Sequence, residues 1–318
     1  MNAIFNITGP IFLIIGLGYL SVRWGLFAKS DMRVLGRFVM FAALPALLFK
    51  ALASRSLADI VHTDYLLVYA LGSAVPMLLM LGWQRRRGAN NGRTGTMAMG
   101  VSCPNSGFIG FPIMLLVMPT VAPVVLALNM VVENFFTLPV TMAYSERNAG
   151  AHRHWGHAVL QALKPLRTNP LFIAIVLGGA FAASDLHLPL AFSRSVDVLA
   201  QAAGGAALFA IGGGLVGLKI KGLRRDVASV ALGKLLIHPL ATAVLAFVLL
   251  PIADPLLRTA AVLSTAMPML GVYPLLASRV GEEDLASAAL LATTIGSFVT
   301  LSAAIALLGL AGTAGMLG

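Results

Sequence analysis

Ser102-Cys103-Pro104-Asn105-Ser106-Gly107-Phe108-Ile109-Gly110-Phe111-Pro112 is the stretch on which the reading of the chain turns. It lies inside an apolar run from Thr94 to Met118 that is long enough to cross a bilayer. Yet it holds two prolines, two glycines and an adjacent Asn-Ser pair. Pro104 has no N–H to donate, and its ring crowds the carbonyl of Gly100; Pro112 does the same to Phe108. Unpaired backbone in hydrocarbon costs several kcal/mol per group and survives only against protein or a wet cavity. The stretch therefore reads as a broken membrane helix whose freed backbone faces something polar. A second such stretch, Ala266-Met267-Pro268-Met269-Leu270-Gly271-Val272-Tyr273-Pro274, comes late in the chain. Paired broken helices in two halves of a chain point to the binding site of a secondary transporter.

Composition agrees with a membrane setting. Of the 318 residues 58% are hydrophobic and 11% charged, with a mean hydropathy of +0.90; an average soluble chain carries about 25% charge. The apolar runs are about 20 residues long, too long for the strands of a membrane barrel. The single cysteine, Cys103, excludes an internal disulfide and a cysteine metal cluster, and reads as a small packing residue. Met1 to Thr8 carries no basic residue and the apolar run that follows has no cleavage site, so no removable signal is expected.

Ten spanning segments can be drawn: Ile4–Val22, Val34–Ala53, Thr63–Trp83, Thr94–Met118, Val121–Tyr144, Pro170–Ser184, Ala191–Leu218, Val227–Leu250, Leu257–Val280 and Leu285–Ala311. Loop parity sorts the charges. Arg23, Lys29, Arg33, Arg37, Arg85, Arg86, Arg87, Arg93, Arg147, Arg153, Lys164, Arg167, Lys219, Lys221, Arg224, Arg225 and Arg279 fall on one side, seventeen of the twenty-two basic residues. Lys50, Arg55, Arg194 and Arg258 fall on the other, and Lys234 lies within segment 8. The positive-inside rule then places both termini in the periplasm of an inner-membrane protein. The net charge of +10 is thus an orienting charge, and no nucleic-acid partner is expected.

The connection Ser145 to Asn169 is the longest polar stretch. His157 to Leu163 suits a short helix on the cytoplasmic surface with Trp155 at headgroup level. His152, His154 and His157 read as part of a solvated linker, and no metal site is expected. The linker leaves residues 1–144 and 170–318, five segments each. An odd number per half makes the second half enter from the opposite side, so halves sharing a fold must be inverted. Pro45-Ala46-Leu47-Leu48-Phe49 in segment 2 and Gly205-Ala206-Ala207-Leu208-Phe209 in segment 7 are weakly alike and hold equivalent places.

On these residues the chain resembles the auxin efflux carrier family in its short bacterial form. Leu44-Pro45-Ala46-Leu47-Leu48-Phe49 is similar to that family's segment-2 signature, and Pro104 to Pro112 to its segment-4 signature. Ala207-Leu208-Phe209-Ala210-Ile211-Gly212 and Lys234-Leu235-Leu236-Ile237-His238-Pro239-Leu240 resemble its segment-7 and segment-8 patterns. The resemblance implies an all-α fold of ten helices in two inverted repeats, with broken helices crossing at segments 4 and 9. It implies a scaffold of segments 1, 2, 6 and 7 and a moving domain of segments 3–5 and 8–10. It also implies a small organic anion as substrate, such as auxin or malonate. The Gly-Val-Tyr-Pro run at Gly271 resembles malonate-type carriers and departs from members that have an asparagine after the segment-9 proline. The long loop of the plant carriers is missing. The partners expected are the anion, H+ or Na+ as coupling ion, and the lipid bilayer; a homodimer through the scaffold is left open, and no cofactor is expected.

Particular residues carry the site expectation. Asn105 and Ser106, with the backbone of Pro104 and Gly107, offer donors to a carboxylate at a half-helix start; Asn105 also suits a cap. Pro268, Gly271 and Tyr273 form the matching break, with Tyr273 read either as a donor to substrate or as an interface aromatic. Asn129 and Glu133 stand four apart, on one helix face. A carboxylate in mid-membrane costs at least ~2.5 kcal/mol and so is a candidate for ion coupling, the alternative being a structural hydrogen bond. Lys234, four before His238, reads either as a counter-charge or as a side chain that snorkels to the surface, the second being the expected one. Gly212-Gly213-Gly214 with Gly217 reads as close helix packing and not as a nucleotide loop.

Other functions are weighed against transport. Neither a Ser/His dyad nor paired aspartates for proteolysis stands in a membrane constellation, and the aspartates are too scattered for prenyl transfer. No selectivity sequence or charged voltage helix marks a channel. The reading is a secondary carrier of a small carboxylate, not an enzyme, with a channel or uncoupled facilitator as the alternative.

Overall fold

A computed structural model describes residues 2–55, 60–148, 167–184, 188–217 and 224–310. Among them the chain is helical throughout, apart from one isolated two-residue bridge. The helices are α1 (Asn2–Arg23), α2 (Lys29–Ala53), α3 (Thr63–Arg86), α4 (Asn91–Ser102), α5 (Ser106–Val117), α6 (Ala122–Ser145), α7 (Pro170–Ala182), α8 (Leu190–Gly214), α9 (Arg224–Leu249), α10 (Pro255–Thr265), α11 (Tyr273–Ser278) and α12 (Glu283–Leu307). Six of them (α2, α3, α6, α8, α9 and α12) are long and apolar enough to cross a membrane. The expected fourth and ninth segments are the two that are split, into α4 with α5 and α10 with α11. The surface histidine helix expected over His157 to Leu163 lies outside the described residues.

Side chains that water would reject stay on the outside. Leu67, Leu71 and Leu78 form an exposed row along α3, and Leu240, Val244 and Val248 one along α9. Spacings of about four residues keep such a row on one helix face, where lipid tails fit it.

Prolines shape these helices in an unexpected way. Pro112 was expected to break its helix, and it does not. The turn Ser106–Gly110 is a π-turn, in which the Phe111 N–H reaches back to the Ser106 carbonyl. A π-turn inserts one extra residue, which moves the carbonyl four positions back away from the proline ring. Four further π-turns, Val39–Ala43, Glu133–Thr137, Gly233–Ile237 and Leu245–Leu249, also end two residues before a proline.

Two sets of helices pack largely among themselves. One is α1, α2, α7 and α8; the other is α3, α4, α6 and α9 to α12. Small residues bring the first set together: a Cβ on Gly212 would lie 1.9 Å from the Ile15 carbonyl oxygen, and one on Gly18 2.1 Å from that of Phe209. The glycine run is thus a helix-packing surface, as its sequence suggested.

Ion pairs tie the second set at one end. Asp226 at the start of α9 accepts from Arg87 at 2.7 Å and from Arg93, and Arg93 also reaches Glu282 at 3.3 Å. Burial raises the Glu282 carboxyl above the usual carboxylate range, while Arg93 beside it pulls the other way. Arg85 donates to the Tyr144 hydroxyl at 2.7 Å on the same end. At the other end Asp64 accepts from the Ala253 N–H at 3.2 Å, and Arg55 donates to the Thr120 carbonyl. Residues after α3, at the start of α9 and before α12 thus meet at one end, and residues after α2, after α5 and after α9 lie at the other.

Candidate binding site at the crossing of two broken helices

The two breaks touch. After Ser102 the chain leaves the helix, and after Thr265 it does so again. The Asn105 N–H donates to the Pro268 carbonyl at 2.8 Å, and the Leu270 N–H to the Cys103 carbonyl at 3.1 Å. Pro104 and Met269 thus pair as a short antiparallel bridge. Each proline would have deprived a helix of a donor; here the freed backbone groups satisfy one another across the crossing.

Asn105 does two things at this point. Its Oδ1 accepts from the Phe108 N–H at 3.1 Å and caps the turn that starts α5. Its Nδ2 is buried and has no hydrogen-bond partner among the described residues. The residue lines a cavity of about 640 Å³ between α2, α8 and the crossing, together with Pro104, Ser106, Gly107, Glu133 and Gly271, among others. Gly271 belongs beside that amide, since a Cβ there would sit 3.5 Å from Nδ2. The cavity runs from the crossing toward the basic end of the bundle, where Arg33 and Arg37 of α2 also line it. An unfilled donor at the bottom and cations along the path suit an anion.

Behind Asn105 lies a buried polar ladder. Tyr65 donates to Asn129 Oδ1 at 2.7 Å, and one helical turn on Tyr69 donates to Glu133 Oε1 at 2.8 Å. The two tyrosine rings stack at 5.9 Å. Ser106 also donates to Glu133, so the carboxylate is held by two hydroxyls and is 5% exposed. Asn129 and Glu133 do share a face, as their spacing required. The tyrosines were missed in the sequence, although they too stand four apart, on the helix that faces α6. Asn134 spends its amide on the Met130 carbonyl at 2.8 Å.

Three expectations need correction or narrowing. Lys234 does not snorkel: it is 0% exposed, donates to the Thr265 carbonyl at 2.7 Å and lies 3.1 Å from His238 Nδ1. His238 Nε2 in turn meets Ser73 at 3.1 Å. The ammonium is thus placed at the C-terminal end of α10, where carbonyls are unpaired and a cation is favoured. Tyr273 is fully buried, donates to the Thr96 carbonyl at 2.8 Å and is not among the residues that line the cavity. Gly100 makes room for it, since a Cβ there would lie 2.7 Å from the tyrosine oxygen. Pro268 contributes its carbonyl to the crossing and not a wall of the cavity.

Ser106, Glu133 and Lys234 all stand in π-turns, each two to six residues before a proline. Such turns leave carbonyls and side chains displaced from regular helix positions.

Comparison with known proteins agrees with this picture. The profile of a family described as membrane transport protein matches residues 4–305. A protein of Rhizobium meliloti (strain 1021) named "Putative malonate transporter" is 28% identical over 309 residues, covering 95% of each chain. A protein of Methanothermobacter thermautotrophicus named "Uncharacterized transporter" is 27% identical over 300 residues, 92% of this chain and 94% of its own. "Uncharacterized transporter YfdV" of Escherichia coli (strain K12) is 24% identical over 237 residues, 73% of this chain and 74% of its own. With a match over nearly its whole length, the chain belongs to the membrane transport protein family, the auxin efflux carriers.

Proposed function

We propose that this membrane transporter is a secondary carrier of a small organic anion, a mono- or dicarboxylate with malonate as the leading candidate. The observation that carries the reading is Asn105, which lines the cavity at the crossing and whose buried Nδ2 has no partner among the described residues. A carboxylate there would fill the vacant donor and draw on Ser106 and on the backbone at Gly107 and Gly271. The name of the Rhizobium relative supports malonate.

The movement proposed is of the elevator kind. Helices α1, α2, α7 and α8 stay as scaffold, and α3 to α6 with α9 to α12 carry the crossing across the membrane. The separate packing of α1, α2, α7 and α8 from α3, α4, α6 and α9 to α12 supports this, with α5 between them, packed against α1 and α8 on one side and α6 on the other. The cavity reaches the basic end, which the positive-inside rule assigns to the cytoplasm, so this conformation is the inward-open one. Both termini are then periplasmic and the membrane is the inner membrane. Glu133 is the coupling carboxylate, for H+ or Na+. A buried carboxylate beside an anion site repels the substrate unless a proton or a cation neutralises it, which links the two events. Lys234 holds the end of α10 through the Thr265 carbonyl. Equilibrium binding of malonate to the purified protein, wild type against Asn105→Ala, tests the site. Binding that is absent, or unchanged by the substitution, would remove Asn105 from it.

A further inference from the structure

Two arginines of α2 stand apart from the other basic residues at their end of the bundle. Arg85, Arg87 and Arg93 are engaged, with Tyr144, Asp226 and Glu282. Arg33 and Arg37 are exposed, and neither guanidinium has a hydrogen-bond or ion-pair partner among the described residues. Asp31, the acid nearest to them along α2, accepts from the Ala28 N–H at 2.9 Å at the helix start. Among the described basic residues, only Arg33 and Arg37 line the anion cavity. They are four apart and so share a face of α2.

The lining continues along α2 through Gly36, Met40, Phe41 and Leu44 to the crossing. A Cβ on Gly36 would lie 4.0 Å from the Phe108 ring, and one on Gly107 3.4 Å from Leu44 Cδ1. Leu44 follows Arg37 by seven residues, so the arginine turn stands about 10 Å along the helix from the crossing. That is about one Debye length at 0.1 M salt, near enough for both charges to act on an anion at Asn105. The walls between are mostly apolar, and the one carboxylate among the described lining residues, Glu133, lies at the crossing with two hydroxyls donating to it. Charges of one sign on an apolar-walled cleft focus their field into it and concentrate ions of the opposite sign there.

We infer that Arg33 and Arg37 are an anion-collecting pair that raises affinity for substrate from the cytoplasmic side alone. The reason is their place on α2, assigned above to the scaffold. They face the cavity in this conformation and stay behind when the crossing moves. The one-sidedness thus rests on the elevator reading. A wall that attracts the anion in one conformation favours the loaded form of that conformation by the same amount. The pair therefore makes binding unequal on the two sides of the membrane and supplies no energy for transport.

Two measurements test this. The first reads the field without any substrate. Leu275, exposed and lining the cavity, is replaced by cysteine in a Cys103→Ala background of the full-length protein. Its modification by anionic and by cationic methanethiosulfonates is then timed. The anionic-to-cationic rate ratio should fall about threefold or more at low salt in Arg33→Gln/Arg37→Gln. Arg86→Gln/Arg225→Gln removes the same charge from exposed residues that do not line the cavity, and should leave the ratio near its starting value. An unchanged ratio in the first variant, or an equal fall in both, overturns the inference. The second measurement is uptake of labelled malonate by everted and by right-side-out membrane vesicles. In Arg33→Gln/Arg37→Gln the KM from the cytoplasmic side should rise about tenfold, while the periplasmic KM stays within about twofold. Equal rises on both sides overturn the one-sided role. Absence of malonate uptake in the wild type sinks the malonate reading alone, since the cysteine measurement still judges the arginine pair.

Discussion

The Asn105 N–H donates to the Pro268 carbonyl at 2.8 Å, across 163 positions of sequence and between the two halves of the chain. This bond lets both halves break their helices at one place. The side chain then caps Phe108 with its Oδ1 and keeps Nδ2 without a partner among the described residues.

Asn105→Ala should weaken carboxylate binding by about 1–3 kcal/mol, because a desolvated anion loses a charge-assisted hydrogen bond. That is about ten- to hundredfold in Kd. The lost cap to Phe108 costs about 1 kcal/mol of stability in addition. Isothermal titration with malonate measures the first effect and thermal melting the second, so the two can be separated.

Glu133→Gln retains the shape and a hydrogen-bond acceptor for Tyr69 and Ser106 but cannot carry a charge. The variant should still exchange substrate across a liposome membrane. It should fail to concentrate substrate against a gradient when a pH or Na+ difference is imposed. Accumulation at the wild-type level would make Glu133 purely structural.

Gly212→Ala should destabilise the protein by about 1–3 kcal/mol through overpacking, since its Cβ would fall 1.9 Å from the Ile15 carbonyl and backbone cannot step aside cheaply. Gly214→Ala, with open space around it, is the control and should be close to neutral. The melting temperature in detergent reports both. Equal melting of the two variants would contradict the α1–α8 contact.

Lys234→Met removes a buried ammonium from the Thr265 carbonyl and His238. It leaves that carbonyl unpaired, at a cost of about 1–3 kcal/mol. Lys234→Arg should not rescue it, because the buried site fits a point charge and not a planar fork. A snorkelling lysine would tolerate both changes, so melting curves of the two variants decide between the placements.

Much of this was legible in the sequence where the backbone itself was the signal. Pro104 and Pro268, with glycines beside them, cannot sit in an unbroken lipid-facing helix, and both breaks are where the prolines put them. Asn129 and Glu133 share a face because helical spacing alone demands it. What depends on neighbouring helices was not legible. Tyr65 and Tyr69 have the same spacing of four, but only the packing of α3 against α6 makes them donors to that pair. Lys234 reads as a snorkelling side chain because the chain around it does not reveal the carbonyl end of α10, which is what holds it. Pro112 misled for a local reason: a π-turn relieves the same clash that Pro104 relieves by leaving the helix.

Counterflow tests the central claim most directly. Proteoliposomes containing the purified protein are loaded with unlabelled malonate and diluted into a trace of labelled malonate. The account predicts transient, saturable accumulation of label in wild type, with half-saturation shifted about ten- to hundredfold upward in Asn105→Ala. Label that equilibrates passively, without overshoot and without a change in Asn105→Ala, would contradict a carrier with its anion site at the crossing.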